Sequence, residues 1–154
     1  TWGKKSCVET QKIVQFKLNK RYMKKSFNDN SLAKLIKKEK NGIIFGWSPS
    51  MPLSASGLNE MKKAGNELGL KVYGVVDPNS PEDSVKYIAK KYGISNMDQR
   101  RLESFDLLIR GASLHYPSVI PFKNGKLKRF PKYGYEKKIM YVKDLSRAGF
   151  KRKK

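Results

Sequence analysis

Ser48-Pro49-Ser50-Met51-Pro52-Leu53 joins an apolar run, Gly42-Ile43-Ile44-Phe45-Gly46-Trp47, to an amphipathic stretch with helical spacing. A hydroxyl at the mouth of a helix can accept a bond from the first backbone N–H groups, so Ser50 is expected to cap that helix. The other reading of the same geometry is a helix N-terminus that accepts an anion or a partner's carboxylate, with Ser48 and Ser50 around it. Trp47 and Met51 either pack in the core or line a groove beside these serines. Farther on, His115 precedes Tyr116-Pro117. His115 is the only histidine, and no cluster of His, Cys and carboxylates has the spacing of a metal site, so neither a metal nor a cofactor is expected. A satisfied ring on a strand is the ordinary expectation for His115. The chain has no glycine-rich phosphate loop ending in Lys-Ser/Thr, no Gly-x-Ser-x-Gly elbow and no paired carboxylates in a catalytic setting. Cys7 is the only cysteine, which excludes an intramolecular disulfide.

Charge is unevenly spread over the 154 residues and their net +21. Residues 1–41 hold 12 Lys and Arg against 3 acids, and residues 123–154 hold 13 against 2. Between them, residues 42–122 are close to neutral, with 9 against 8. The basic flanks attract polyanions through a field that salt weakens. Lys20, Arg21, Lys24 and Lys25, and downstream Lys126, Lys128 and Arg129, stand among aromatics. That mixture suits phosphate contact and stacking, or else forms a solvated surface. No helix-turn-helix, zinc-finger or RNA-recognition signature accompanies it. The hydrophobic content of 38% and the 17 aromatics support a packed core, and no apolar run approaches a membrane span. Thr1 in place of Met is compatible with removal of an upstream segment.

The elements that must position Ser50 and Tyr116 follow from periodicity. An irregular segment is expected over residues 1–10, one domain over 11–150 and a basic tail over 151–154. Ile13–Leu18 has a strand pattern. Asn30 or Ser31 is expected to cap a helix running to about Lys40, with Leu32, Leu35 and Ile36 inward and Asn41-Gly42 as its terminator. Gly42–Trp47 reads as a strand buried on both faces. Leu58, Met61, Gly65 and Leu68 mark the inner face of the next helix, closed by Gly69, and Lys71–Val76 is the next strand. A strand, a helix and a strand at this spacing predict a parallel crossover. Ser80 and Pro81 are expected to open a helix with Val85, Ile88, Ala89 and Tyr92 on its apolar stripe, stopped by Gly93. Asn96–Ser104 reads as an exposed loop or short helix, and Phe105–Ile109 as a third parallel strand or the approach to one. Ser118–Phe122 and Lys126–Phe130 flank Asn124-Gly125, a hairpin signal, with Pro121 where no ladder donor is required. Ile139, Val142 and Leu145 give a final helix.

From about Gly42 to Phe150 this order resembles the thioredoxin fold, closest to the extracytoplasmic branch related to cytochrome-maturation proteins. The resemblance implies a three-layer α/β/α sandwich with a mixed central sheet and a C-terminal hairpin and helix. It places the family's Cys-x-x-Cys on Ser50-Met51-Pro52-Leu53, keeps the family's proline as Pro52, and sets the family's cis-proline on Tyr116-Pro117. In such enzymes a helix-acidified thiolate attacks a disulfide and a second thiol resolves the adduct. Serine stays protonated at neutral pH and leucine has no nucleophile, so no disulfide exchange and no catalytic residue are expected. The groove can outlast the thiols, because the family pairs the residue before its cis-proline with an extended segment. Trp47, Met51, Tyr116 and Pro117 would line it. The expected function is a protein-binding or assembly module whose basic flanks favour an acidic partner or anionic surface. The resemblance implies a periplasmic or other extracytoplasmic setting in a bacterial envelope. The other reading is a nucleic-acid or anionic-membrane binder that uses the fold as a scaffold; an enzyme of unrelated chemistry has no constellation behind it.

Overall fold

A computed structural model describes residues 26–97, 99–129 and 134–150. The expected strand Ile13–Leu18, Cys7, the basic cluster Lys20, Arg21, Lys24 and Lys25, and the segments 1–10 and 151–154 lie outside these residues. Six strands form one sheet: β1 (Ser26–Phe27), β2 (Gly42–Trp47), β3 (Val72–Val76), β4 (Arg100–Leu102), β5 (Ser118–Lys123) and β6 (Lys126–Leu127), in the order β1-β4-β3-β2-β5-β6. The pairs β1–β4, β4–β3 and β3–β2 are parallel; β2–β5 and β5–β6 are antiparallel. The sheet is therefore mixed, as expected.

Alternation along β2 sends its side chains to two cores. Ile43, Phe45 and Trp47 pack with helix α2 (Pro52–Leu68), helix α3 (Glu82–Lys91) and helix α5 (Lys138–Arg147) through Leu58, Met61, Ala89, Tyr141 and Leu145. Ile44 packs on the opposite face with helix α1 (Asp29–Glu39) and helix α4 (Phe105–Ile109) through Leu32 and Leu107, and with Phe27 and Phe122. Burying one such side chain contributes about 1.5–3 kcal/mol. All six residues of β2 are buried, which makes it the spine of the sandwich.

Several boundaries differ from the sequence reading. The α1 cap is Asn28, whose Oδ1 accepts from the Ser31 N–H at 3.0 Å, not Asn30 or Ser31. Helix α1 ends with Lys40 at φ 66°, not with Asn41-Gly42. Gly42 instead begins β2, where a Cβ would sit 2.6 Å from the Phe122 ring. In α3 the cap is Pro81 and Glu82 the first helical residue, one place beyond the expected start, with no side-chain cap bond from Ser80. The strand that extends the parallel pair β2–β3 is Arg100–Leu102, within the segment expected to be an exposed loop or short helix, and Phe105–Ile109 is a helix capped by Ser104 Oγ. In the Asn124-Gly125 hairpin both residues take positive φ, and Lys123 pairs with Lys126. Its second strand stops at Leu127. In α5, Ile139 is exposed; Tyr141 and Leu145 carry the core contact, and the Tyr141 hydroxyl donates to the Gly134 carbonyl at 3.2 Å.

Candidate functional site

Antiparallel pairing sets Gly46 of β2 opposite Ser118 of β5, so the chain leaving β2 and the chain entering β5 lie at the same end of the sheet. Parallel pairing brings the end of β3 there too: Val76 lies opposite Trp47, and the Asp77 N–H donates to the Trp47 carbonyl at 2.8 Å. The Tyr116–Pro117 peptide bond is cis, as expected. Burial pushes the Tyr116 phenol well above its ordinary range, and the Asp77 carboxylate adds to the shift. Ser48, Ser50, Asp77 and the cis peptide thus share one end of the molecule.

A directed chain of hydrogen bonds occupies it. Ser48 Oγ donates to Asp77 Oδ2 at 3.0 Å. That uses its single proton, so at 2.8 Å the Ser50 hydroxyl must donate to Ser48 Oγ. The Ser50 N–H donates to the same oxygen at 3.3 Å, which saturates Ser48. The Ser50 hydroxyl proton is therefore tied inward, leaving only its lone pairs for a ligand.

Ser50 does not cap α2. Met51 holds the cap position without a side-chain bond, and Pro52 fills the first helical position. Wholly buried Ser54 holds the turn instead: its Oγ accepts from the Ser48 N–H at 3.0 Å and shares its proton between the carbonyls of Met51, at 2.6 Å, and Ser48, at 3.0 Å. The anion reading also gives way here. Ser48 is buried and bonded to a carboxylate, and Pro52 contributes no N–H.

The expected groove residues divide by exposure. Trp47 is 0% exposed and belongs to the core, so its indole lines no surface. Pro117 is buried and Tyr116 half-buried. Met51 is 50% exposed and Leu53 64%, and Leu114 stands out from the loop whose Ala112 carbonyl lies against Gly46. His115 is exposed on a bend before β5, not on a strand. Among the described residues no group of His, Cys, Asp and Glu could hold a metal ion. Lys126, Lys128 and Arg129 sit at the opposite end of the sheet, on and beside the β5–β6 hairpin. Sequence reasoning missed Ser54 and Asp77. Ser54 falls three residues after Met51, a helical spacing that suggests a turn staple, whereas Asp77 is 29 residues from Ser48 and gave no local signal.

No protein-family profile matches the sequence, and no curated protein matches it. Solved structures similar in shape include the following two. Mycobacterial DsbF, solved in its mixed oxidised and reduced forms, superposes with a TM-score of 0.55 over 70% of this chain and 80% of its own, at 12% identity. A secreted Mycobacterium tuberculosis disulfide oxidoreductase homologous to E. coli DsbE gives a TM-score of 0.50 over 70% of this chain and 81% of its own, at 10% identity. At such identities the likeness speaks to architecture alone, and it agrees with the mixed sheet and the helices on both its faces: the chain has a thioredoxin-like fold.

Proposed function

We propose that this chain is a thioredoxin-like protein-binding module that carries out no thiol–disulfide exchange. The observation that carries the reading is the Ser50 end itself. Where the resemblance sets two thiols, Ser50 is bonded inward to Ser48, which in turn donates to Asp77, and Leu53 is an exposed hydrocarbon. The surface offers apolar contact from Met51, Leu53 and Leu114 beside hydroxyl lone pairs, a combination that suits an extended polypeptide. An extracytoplasmic setting is part of the proposal. Its support is that one structural neighbour is a secreted protein. Separately, no helix among the described residues is long and apolar enough to cross a membrane.

Two measurements test it. The native chain should give no turnover in insulin reduction, while the double variant Ser50→Cys, Leu53→Cys should gain measurable turnover. Turnover by the native chain would defeat the proposal. Second, a partner captured from an extract of the source cells should be lost with Met51→Arg and with Tyr116→Ala, and kept when residues 151–154 are removed. The reverse pattern would move the binding function away from this end.

A further inference from the structure

The opposite end of the sheet has another surface. Helix α1 finishes with Lys37, Lys38 and Lys40, the α2–β3 loop carries Lys71, and the β5–β6 hairpin carries Lys126, Lys128 and Arg129; all seven are exposed. Hydrogen bonds knit these segments together. The Gly125 N–H donates to the Lys40 carbonyl at 2.9 Å, and the Asn124 N–H to Asn41 Oδ1 at 3.0 Å. Lys71 Nζ lies 3.9 Å from the Glu39 carboxylate. Lys123 Nζ donates to the Gly149 carbonyl at 2.9 Å and lies 5.9 Å from the Phe150 ring, which sets the end of the described residues beside this face.

A helix C-terminus favours cations, which accounts for Lys37 and Lys38. It does not account for Lys71, Lys126, Lys128 or Arg129, which lie off helices. Lys37, Lys38, Lys40, Lys126, Lys128 and Arg129 make no ion pair among the described residues, so no described carboxylate neutralises their field.

We propose that this end docks on an anionic lipid bilayer, its cations facing the lipid phosphates, with the Ser50 end turned away from the surface. The inference is independent of what the Ser50 end binds. Six of the seven exposed cations are lysines, compact point charges suited to a diffuse field, and only one has the planar fork that reads bases. Among the described residues no large exposed apolar or aromatic side chain lies on α1, the α2–β3 loop or the hairpin, so none of them offers a platform for base stacking. Helix α1 presents its end to this face rather than a side that a groove would receive.

The test is flotation of the full chain with phosphatidylcholine vesicles, with and without phosphatidylglycerol. Binding should require phosphatidylglycerol and fall steeply with added salt. At about fivefold per cation, the variant Lys126→Gln, Lys128→Gln, Arg129→Gln should partition on the order of a hundredfold less. Lys37→Gln, Lys38→Gln, Lys40→Gln should lose a similar factor, which guards against a local folding defect in the hairpin. Lys86→Gln, Arg110→Gln, Lys137→Gln removes the same charge elsewhere and should lose less than about tenfold. No preference for phosphatidylglycerol, equal losses in all three variants, or tighter binding to duplex DNA at matched phosphate concentration would overturn the proposal.

Discussion

The two ends of the sheet treat polar groups in opposite ways. At the Ser50 end they are turned inward: Ser50 donates to Ser48, Ser48 to Asp77, and Ser54 to the carbonyls of its own turn. Beside them Met51 and Leu53 stand outward as exposed hydrocarbon. At the hairpin end the backbone is tightly joined while, Lys71 beside Glu39 apart, the exposed cations make no ion pair among the described residues. The first end can select by shape and a few acceptors; the second acts through a field. The two proposals thus set two kinds of recognition surface on one fold, separated by the length of its strands.

Breaking the mechanical link between the ends should have the largest effect. Gly65 lies where α2 turns toward β3, and a Cβ there would stand 2.6 Å from the Leu70 carbonyl oxygen and 2.7 Å from a Val72 methyl. Backbone cannot swing aside as a side chain can. Gly65→Ala should cost about 2–3 kcal/mol in urea denaturation, although alanine favours the helix by about 1 kcal/mol. An unchanged midpoint would show that the α2–β3 junction yields more readily than this geometry allows.

Next in size are the serines of the other end. Ser54→Ala leaves the buried Ser48 N–H without its acceptor and should cost about 1–2 kcal/mol. Ser50→Ala removes one half-exposed bond and should cost less than about 0.5 kcal/mol. If the order were reversed, the turn would be held by Ser50, and the staple assigned to Ser54 would be wrong.

The sequence discloses the inner strands and long helices because hydrophobic spacing alone decides them, as in β2 and α2. It conceals β4, since Arg100-Arg101-Leu102 reads as a charged loop while Arg101 is in fact buried. Asn28-Asp29-Asn30-Ser31 offers four capping residues in a row, and local chemistry cannot choose among them. The choice is tertiary: Asp29 Oδ1 accepts from Ser104 Oγ at 2.6 Å and from the Asp106 N–H at 3.1 Å, which fixes where α1 starts and pins it to α4. The cis-proline was legible through resemblance, yet the hydrogen bonding of Ser50 was not. Its partner Ser48 answers to Asp77, a residue set beside it only by strand pairing.

That Asp29 latch belongs to the Ser50 end, where the acids at the N-termini of α1 and α4 sit, and it supplies a pH test. The Ser104 hydroxyl, and after it the Asp106 N–H, hold the Asp29 carboxyl below the ordinary carboxylate range. A lowered folded-state pKa stabilises the protein above the unfolded value, and the benefit disappears as pH falls through the folded one. Between about pH 5 and pH 2 the native chain should therefore lose stability with acid in part through this group. Asp29→Asn should be less stable near neutrality and show a shallower acid slope in thermal melts; parallel curves for the two proteins would remove Asp29 from the latch.

The smallest effect on stability should come from the hairpin end, and its smallness is informative. Lys126, Lys128 and Arg129 are exposed and make no ion pair among the described residues, so neutralising them breaks no ion pair there. Their mutual repulsion is screened within roughly 8 Å at physiological salt. Lys126→Gln, Lys128→Gln, Arg129→Gln should shift the melting temperature by no more than about 2 °C, while the same variant loses its hold on anionic vesicles. A large melting shift would mean that these cations serve the fold, and the contrast between an end that selects by shape and an end that acts by charge would collapse.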